Sequence, residues 1–220
     1  MRSETPPGAR RRTFTEDARR AQLVESTVDA IADLGYARAS LAEIAKRAGV
    51  SKGVVSYHFA GKDELVEQVV ATLYSRAGSL IGDQVEEAQT SATALRGYIE
   101  ANLAFVRADP RSVRVLIEIF ANHRDGEGRP HYDAAGNDGL LAHLEGLLRA
   151  GQRSGEFRPF ATRPVAMVVR AAIDAGAGQL AADPEFDIDG YTEELLTMLD
   201  LATARTPTTP RSDERDVEPG

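Results

Sequence analysis

The sequence predicts an all-α fold, a small N-terminal three-helix domain followed by a longer helical domain, and three observations carry that prediction. In "LAEIAKRAGVSKGVVSYHF", residues 41 to 59, Leu41, Ile44, Ala45 and Ala48 fall at i, i+3, i+4 and i+7 and make one apolar stripe on a short helix. Gly49 stands just past that stripe, where a residue able to take positive φ ends a helix. From Thr90 onward apolar residues keep recurring at the helical period, with few strand signals between them.

Taken in order, residues 1–12, "MRSETPPGARRR", are rich in Pro, Gly and Arg without periodicity, and are expected to be a disordered basic arm. Thr13 and Glu16 form a capping box that opens the first helix, whose apolar face holds Leu23, Thr27, Ala30, Ile31 and Leu34 and which stops at Gly35. Ser40 and Glu43 make a second capping box at the start of the next helix. Ser51 can cap the one after it, with Val50, Val54, Tyr57 and Phe59 as packing residues. Two helices this short, joined by a turn containing Gly, are a helix-turn-helix. Neither is stable alone, so the first braces the second and leaves its other face pointing outward.

A fourth helix begins at Lys62-Asp63-Glu64 and continues through Leu65, Val69, Leu73 and Leu80 for about four turns. Further helices are expected over 92–107 (Leu95, Ile99, Leu103, Val106), ending at Asp109-Pro110, and from Val113 through Leu116, Ile117 and Phe120 to His123. A polar loop at 124–130 leads to the stripe Leu140, Leu141, Leu144, Leu147 and Leu148, which closes near Gly151 to Gly155. The last pair spans 164–182 and 191–204. The first has Val165, Val168, Val169, Ala172 and Gly176 on one side and Met167, Ala171, Ala175 and Gly178 beside them; the second has Leu195, Met198, Leu199 and Ala202. A helix apolar or small on most sides is buried on most sides. The two could pair about a two-fold axis into a four-helix bundle, or simply close the subunit's own core. The expected divisions are the arm 1–12, a domain at 13–61, a second domain at 62–205, and a polar, Pro-rich tail at 206–220 expected to be disordered.

Composition narrows the function. Cysteine is absent, so neither a disulfide framework nor a thiolate metal site is available. No run is expected to approach the ~18 apolar residues of a membrane span, and the basic N-terminus lacks the apolar core of a signal peptide. The net charge of −8 hides an asymmetry. Residues 1–62 hold 11 Lys and Arg against 7 Asp and Glu, a balance of +4, and the rest hold 15 against 27, a balance of −12. All three lysines, Lys46, Lys52 and Lys62, lie in or beside the helix-turn-helix. Enzyme motifs fail. Gly176, Gly178 and Ala181 fit G-x-G-x-x-A, but a helix-forming run precedes them where a dinucleotide site needs a strand. No His has an acid three residues before it, as a di-iron bundle requires, and no metal or other cofactor is expected.

The outward face of the second short helix holds Lys52, Gly53, Ser56, Tyr57 and His58, and no carboxylate occurs between Glu43 and Asp63. Donors without acids suit a polyanion, with long donors to phosphates and short side chains at base edges. An ordinary helical hairpin with a solvated face has the same spacing. Residues 15–66, through "DLGYARAS", "LAEIAKRAGVSKGVVSYHF" and "AGKDELV", resemble the DNA-binding domain of the tetracycline-repressor (TetR) family of bacterial transcription regulators. The departure is "SYHF" at 56–59, in the part of the helix that members use to choose operators. Beyond the first third of the chain only length and helical character match.

The resemblance implies an N-terminal helix-turn-helix DNA-binding domain and a C-terminal helical domain that binds a ligand and dimerises through its last two helices. The expected protein is a cytoplasmic homodimeric repressor, with no membrane attachment, released from a palindromic operator by an unidentified small-molecule effector; a helical protein-interaction adaptor is the alternative. Ser40, Tyr57 and Lys62 are expected at phosphates, Lys52, Gly53 and Ser56 at base edges, His58 at either, with Ser51 in the same interface. Tyr57 could instead be a core aromatic, and the basic arm either reaches DNA or is a solvated tail. Effector-lining candidates are polar or aromatic groups on apolar faces: Tyr74, Asn102, Phe105, Glu118, Asn122, His123, Arg170 and Asp174. Arg170 and Asp174, four apart, could simply pair with each other.

Overall fold

The computed structural model describes residues 14–132 and 138–205, apart from the side chains of 80, 83 and 84. The arm 1–12, Thr13 of the first capping box and the tail 206–220 lie outside the described residues, and nothing is said of the Leu80 side chain. The described residues form nine helices: α1 (Phe14–Leu34), α2 (Leu41–Arg47), α3 (Lys52–His58), α4 (Lys62–Glu86), α5 (Ser91–Ala108), α6 (Pro110–Asn122), α7 (Asp138–Ser154), α8 (Thr162–Ala182) and α9 (Ile188–Thr203).

Local chemistry sets the turns. Gly35 and Gly49 sit at φ +78° and +65°, the left-handed conformation that ends α1 and α2 without a Cβ penalty. After Gly49 the Val50 N–H bonds the Ala45 carbonyl at 3.0 Å, tying off α2. Asp109 closes α5 and caps α6, accepting from the Ser112 N–H, and Pro110 takes the first helical position. The expected capping box at α2 is only half made. Ser40 accepts from the Glu43 N–H at 3.2 Å, but the Glu43 carboxylate turns to Arg47 at 3.3 Å.

The first core joins Leu23, Val24, Val28, Ala30 and Ile31 of α1, Ile44 and Ala45 of α2, and Val55 and Phe59 at α3. It does not end at residue 61. Leu65, Val66, Val69, Val70 and Leu73 of α4 and Val115 and Ile119 of α6 belong to the same cluster, so the expected division at 62 is not a break in packing. The second core is built from α5, α7, α8 and α9 around Ile99, Leu103, Leu144, Leu148, Val169, Ile173 and Leu196. At 25 residues, α4 is longer than the expected four turns, and its later part leans Ile81 and Val85 against this second core. The helix thus runs between both.

Two expectations about α8 change. By length and mean hydropathy, 1.3, it is the one described helix apolar enough to cross a membrane, although the run is interrupted by Arg170 and Asp174. Five of its residues, Ala166, Val169, Ile173, Gly176 and Ala177, are buried against the chain itself. Its small residues also divide. A Cβ on Gly176 would lie 2.8 Å from the Tyr191 ring, and Ala172 leans into the second core with its carbonyl accepting from the Tyr191 hydroxyl at 2.7 Å. Those two serve contacts within the chain. Met167, Val168, Ala171 and Ala175 are exposed, as are Met198 and Leu201 of α9. Gly176, Gly178 and Ala181 all lie inside α8, where no nucleotide-binding turn exists.

Candidate DNA interface and inner cavity

Helix α3 is held from behind and open in front. Val55, 0% exposed, and Phe59 anchor it. Val55 was missed in the sequence because only Val54 was counted in that turn. Tyr57 is corrected as a packing residue: it is 72% exposed, its ring edge-on to His58 at 5.0 Å, and not a core aromatic. Ser51, Lys52, Gly53 and Ser56 are exposed beside it and His58 is half-buried. Ser51 accepts from the Val54 N–H at 3.4 Å, just as Ser40 caps α2. A capping hydroxyl still has its own O–H to give, so neither role prevents a phosphate contact. A Cβ on Gly53 would meet only Ser51 Oγ, at 3.6 Å, so nothing inside the protein requires glycine there.

Arg20 of α1, which sequence reasoning did not single out, fixes the end of α3. It donates to the His58 carbonyl, covers the Phe59 ring at 4.0 Å and reaches Glu64 at 3.3 Å. No local pattern marks a residue whose partners lie some forty positions away.

Lys62, expected at a phosphate, is engaged within the protein. Its Nζ donates to the Tyr36 carbonyl at 2.6 Å and lies 3.9 Å above the Tyr36 ring. Burial lowers its pKa, and Asp63 opposes that shift. We expect Lys62→Met to lower stability by about 1–3 kcal/mol, since it orphans a carbonyl bonded to a charged donor. The salt dependence of DNA binding should stay unchanged. A fall of roughly one unit in its slope would restore Lys62 to a phosphate.

The second site is a cavity of about 370 Å³ enclosed by α4, α5, α6 and α8, with one approach from α7. Of the eight expected lining residues it gathers Tyr74, Asn102, Phe105, Arg170 and Asp174. Arg170 does pair with Asp174, at 3.1 and 2.5 Å, and its third bond reaches Asn102 Oδ1 at 3.4 Å. Burial raises the Tyr74 pKa, with Arg170 opposing; the ring stacks on Phe120. Leu116, Ile117 and Phe120, expected as a core stripe, line the cavity, and Leu116 and Phe120 also pack against the first core.

Glu118, Asn122 and His123 do not line it. Glu118 accepts from the Tyr36 N–H at 3.1 Å, Asn122 bonds back to the Glu118 carbonyl, and His123, 1% exposed, shares a 2.6 Å hydrogen bond with the Tyr36 hydroxyl. Burial lowers the His123 pKa, helped by His131 at 4.6 Å between ring centres. Tyr36, in the turn between α1 and α2, is thus gripped through its N–H, carbonyl and hydroxyl by α6, Lys62 and His123.

Residues 23–69 match the family model described as bacterial regulatory proteins of the tetR family, across α1, the helix-turn-helix and the first turns of α4. This N-terminal region is similar to the TetR family of regulators. Among TetR-family relatives, the transcriptional regulator BetI 1 of Chromohalobacter salexigens is 36% identical over 85 residues, covering 38% of this chain and 42% of that one. BetI of Escherichia coli K12 is 26% identical over 168 residues, 64% of this chain and 86% of that one. The solved structure of the regulator FadR from Bacillus subtilis in complex with stearoyl-CoA superposes with a TM-score of 0.69 at 22% identity, over 81% of this chain and 96% of that one. These relatives are transcriptional regulators, and TetR-family members are not enzymes.

Proposed function

We propose that this chain is a cytoplasmic homodimeric repressor that binds a palindromic operator through α3 of each subunit and leaves it when a small molecule fills the inner cavity. The exposed face of α3, which carries no acid of its own although Glu16 of α1 accepts from the Tyr57 hydroxyl at 3.5 Å, is braced by two capped helices and by Arg20 and carries the reading. Lys52 and Ser56 stand at base edges, Gly53 allows the backbone close approach, and Tyr57, Ser40 and Ser51 donate to phosphates.

Helix α6 is the transmitter. Leu116, Ile117 and Phe120 face the cavity, while Val115 and Ile119 sit in the core of the DNA-binding domain and Glu118 and His123 hold Tyr36. An effector pressing on α6 therefore displaces the turn between α1 and α2, tilts α4 and respaces the recognition helices. The stearoyl-CoA in the FadR neighbour supports reading the cavity as an effector site.

The test is DNA binding under salt titration. Specific affinity should fall by roughly 10³-fold or more between about 50 and 200 mM salt. A flat response would leave the adaptor reading standing.

A further inference from the structure

We infer that the effector is an electrically neutral, largely apolar molecule with a hydrogen-bond acceptor that meets Arg170, an inference that rests on reading the cavity as the effector site. The walls are mainly Ala77, Ile81, Val106, Leu116, Ile117 and Phe120, so most of the occupant must be apolar. The charged residues lining the cavity are Arg170 and Asp174, already paired with each other, and the chamber carries no net charge.

That pairing decides the class. The Arg170 side chain is only 15% exposed, and its guanidinium keeps free donors after its bonds to Asp174 and Asn102. A neutral carbonyl, ether or hydroxyl oxygen can take one at no cost in charge. A carboxylate would reach the same cation only by placing a second anion beside Asp174, and the lining offers no other cation to offset that repulsion. A cation would meet Arg170 in the same way.

The test is calorimetric titration of the full chain, wild type, Asp174→Asn and Arg170→Gln, with three probes of one chain length: decan-2-one, decanoate and decylammonium. Wild type should bind the ketone at least about tenfold more tightly than either ion. Asp174→Asn leaves the Arg170 charge uncompensated, so decanoate should gain at least about tenfold; Arg170→Gln should weaken the ketone by a similar factor. Asp174 is exposed, 57% by side chain, so its variant folds even if replacing the buried arginine disturbs the protein. Decanoate or decylammonium matching the ketone on wild type would overturn the neutral class while leaving the effector site in place. No binding by any probe, or the same affinities in all three proteins, would overturn the class and the cavity reading together.

Discussion

Gly53→Leu should give a protein that folds as well as wild type and no longer recognises its operator. Gly53 lies in the first turn of α3, exposed, with helical backbone and only an ordinary contact, to Ser51 Oγ at 3.6 Å, where a Cβ would be. Glycine in such a place costs ~1 kcal/mol relative to alanine, so leucine should hold the melting temperature or raise it slightly. No neighbour inside the protein explains why that cost is tolerated. An approaching surface would, because the missing side chain would let α3 seat in the major groove. Leucine would hold the helix away from the base edges while leaving Ser40, Ser51 and Tyr57 at the phosphates. Specific affinity should therefore drop toward the non-specific level, roughly 10³-fold or more, with salt-dependent binding retained. Gly53→Ala should fall between the two. An operator affinity unchanged in the leucine variant would show that this face of α3 does not enter DNA.

The helix-turn-helix was legible because everything that specifies it is local. The stripe Leu41, Ile44, Ala45, Ala48, the caps Ser40 and Ser51 and the positive-φ Gly49 all lie within one short stretch, and each side chain does there what its type and spacing demand. What stayed hidden depends on partners distant in sequence. The spacing gave α6 a single stripe, Val113, Leu116, Ile117 and Phe120. In the fold that helix has two partners, with Val115 and Ile119 in one core and Leu116, Ile117 and Phe120 in the cavity, and one template cannot split an apolar surface between two destinations. His123 stood out as a polar group on an apolar face, which a cavity ligand and a buried histidine bonded within the chain share. Its partner, Tyr36, lies 87 positions away, beyond any periodicity. For Lys62 the charge is visible in the sequence, but the carbonyl that engages it is not.

Val168→Glu should turn the protein into a folded, helical monomer whose operator affinity falls to the non-specific level. Ala172, on the small-residue stripe of the same helix, is a poor position for such a test, because it leans into the subunit's own core and its carbonyl holds the Tyr191 hydroxyl. Damage there would unfold the subunit and separate the protomers alike. Val168 is 62% exposed, next to Met167 on α8, and α9 exposes Met198 and Leu201 by 64% and 78%. Large apolar groups left open on two adjacent helices are what a second copy would cover, and two-fold pairing of α8 and α9 with their twins would make a four-helix bundle. A carboxylate at Val168 costs little in a monomer, where water reaches it. In the dimer it would be buried unpaired, at several kcal/mol for each copy. One α3 reads only a few base pairs. Two held about 34–36 Å apart read both halves of a palindrome, so losing the dimer removes specificity as well as affinity. Light scattering, circular dichroism and operator titration on one preparation decide the matter. A variant that stays dimeric puts the interface elsewhere, and a monomer that still binds the full operator tightly means that pairing is not the source of specificity.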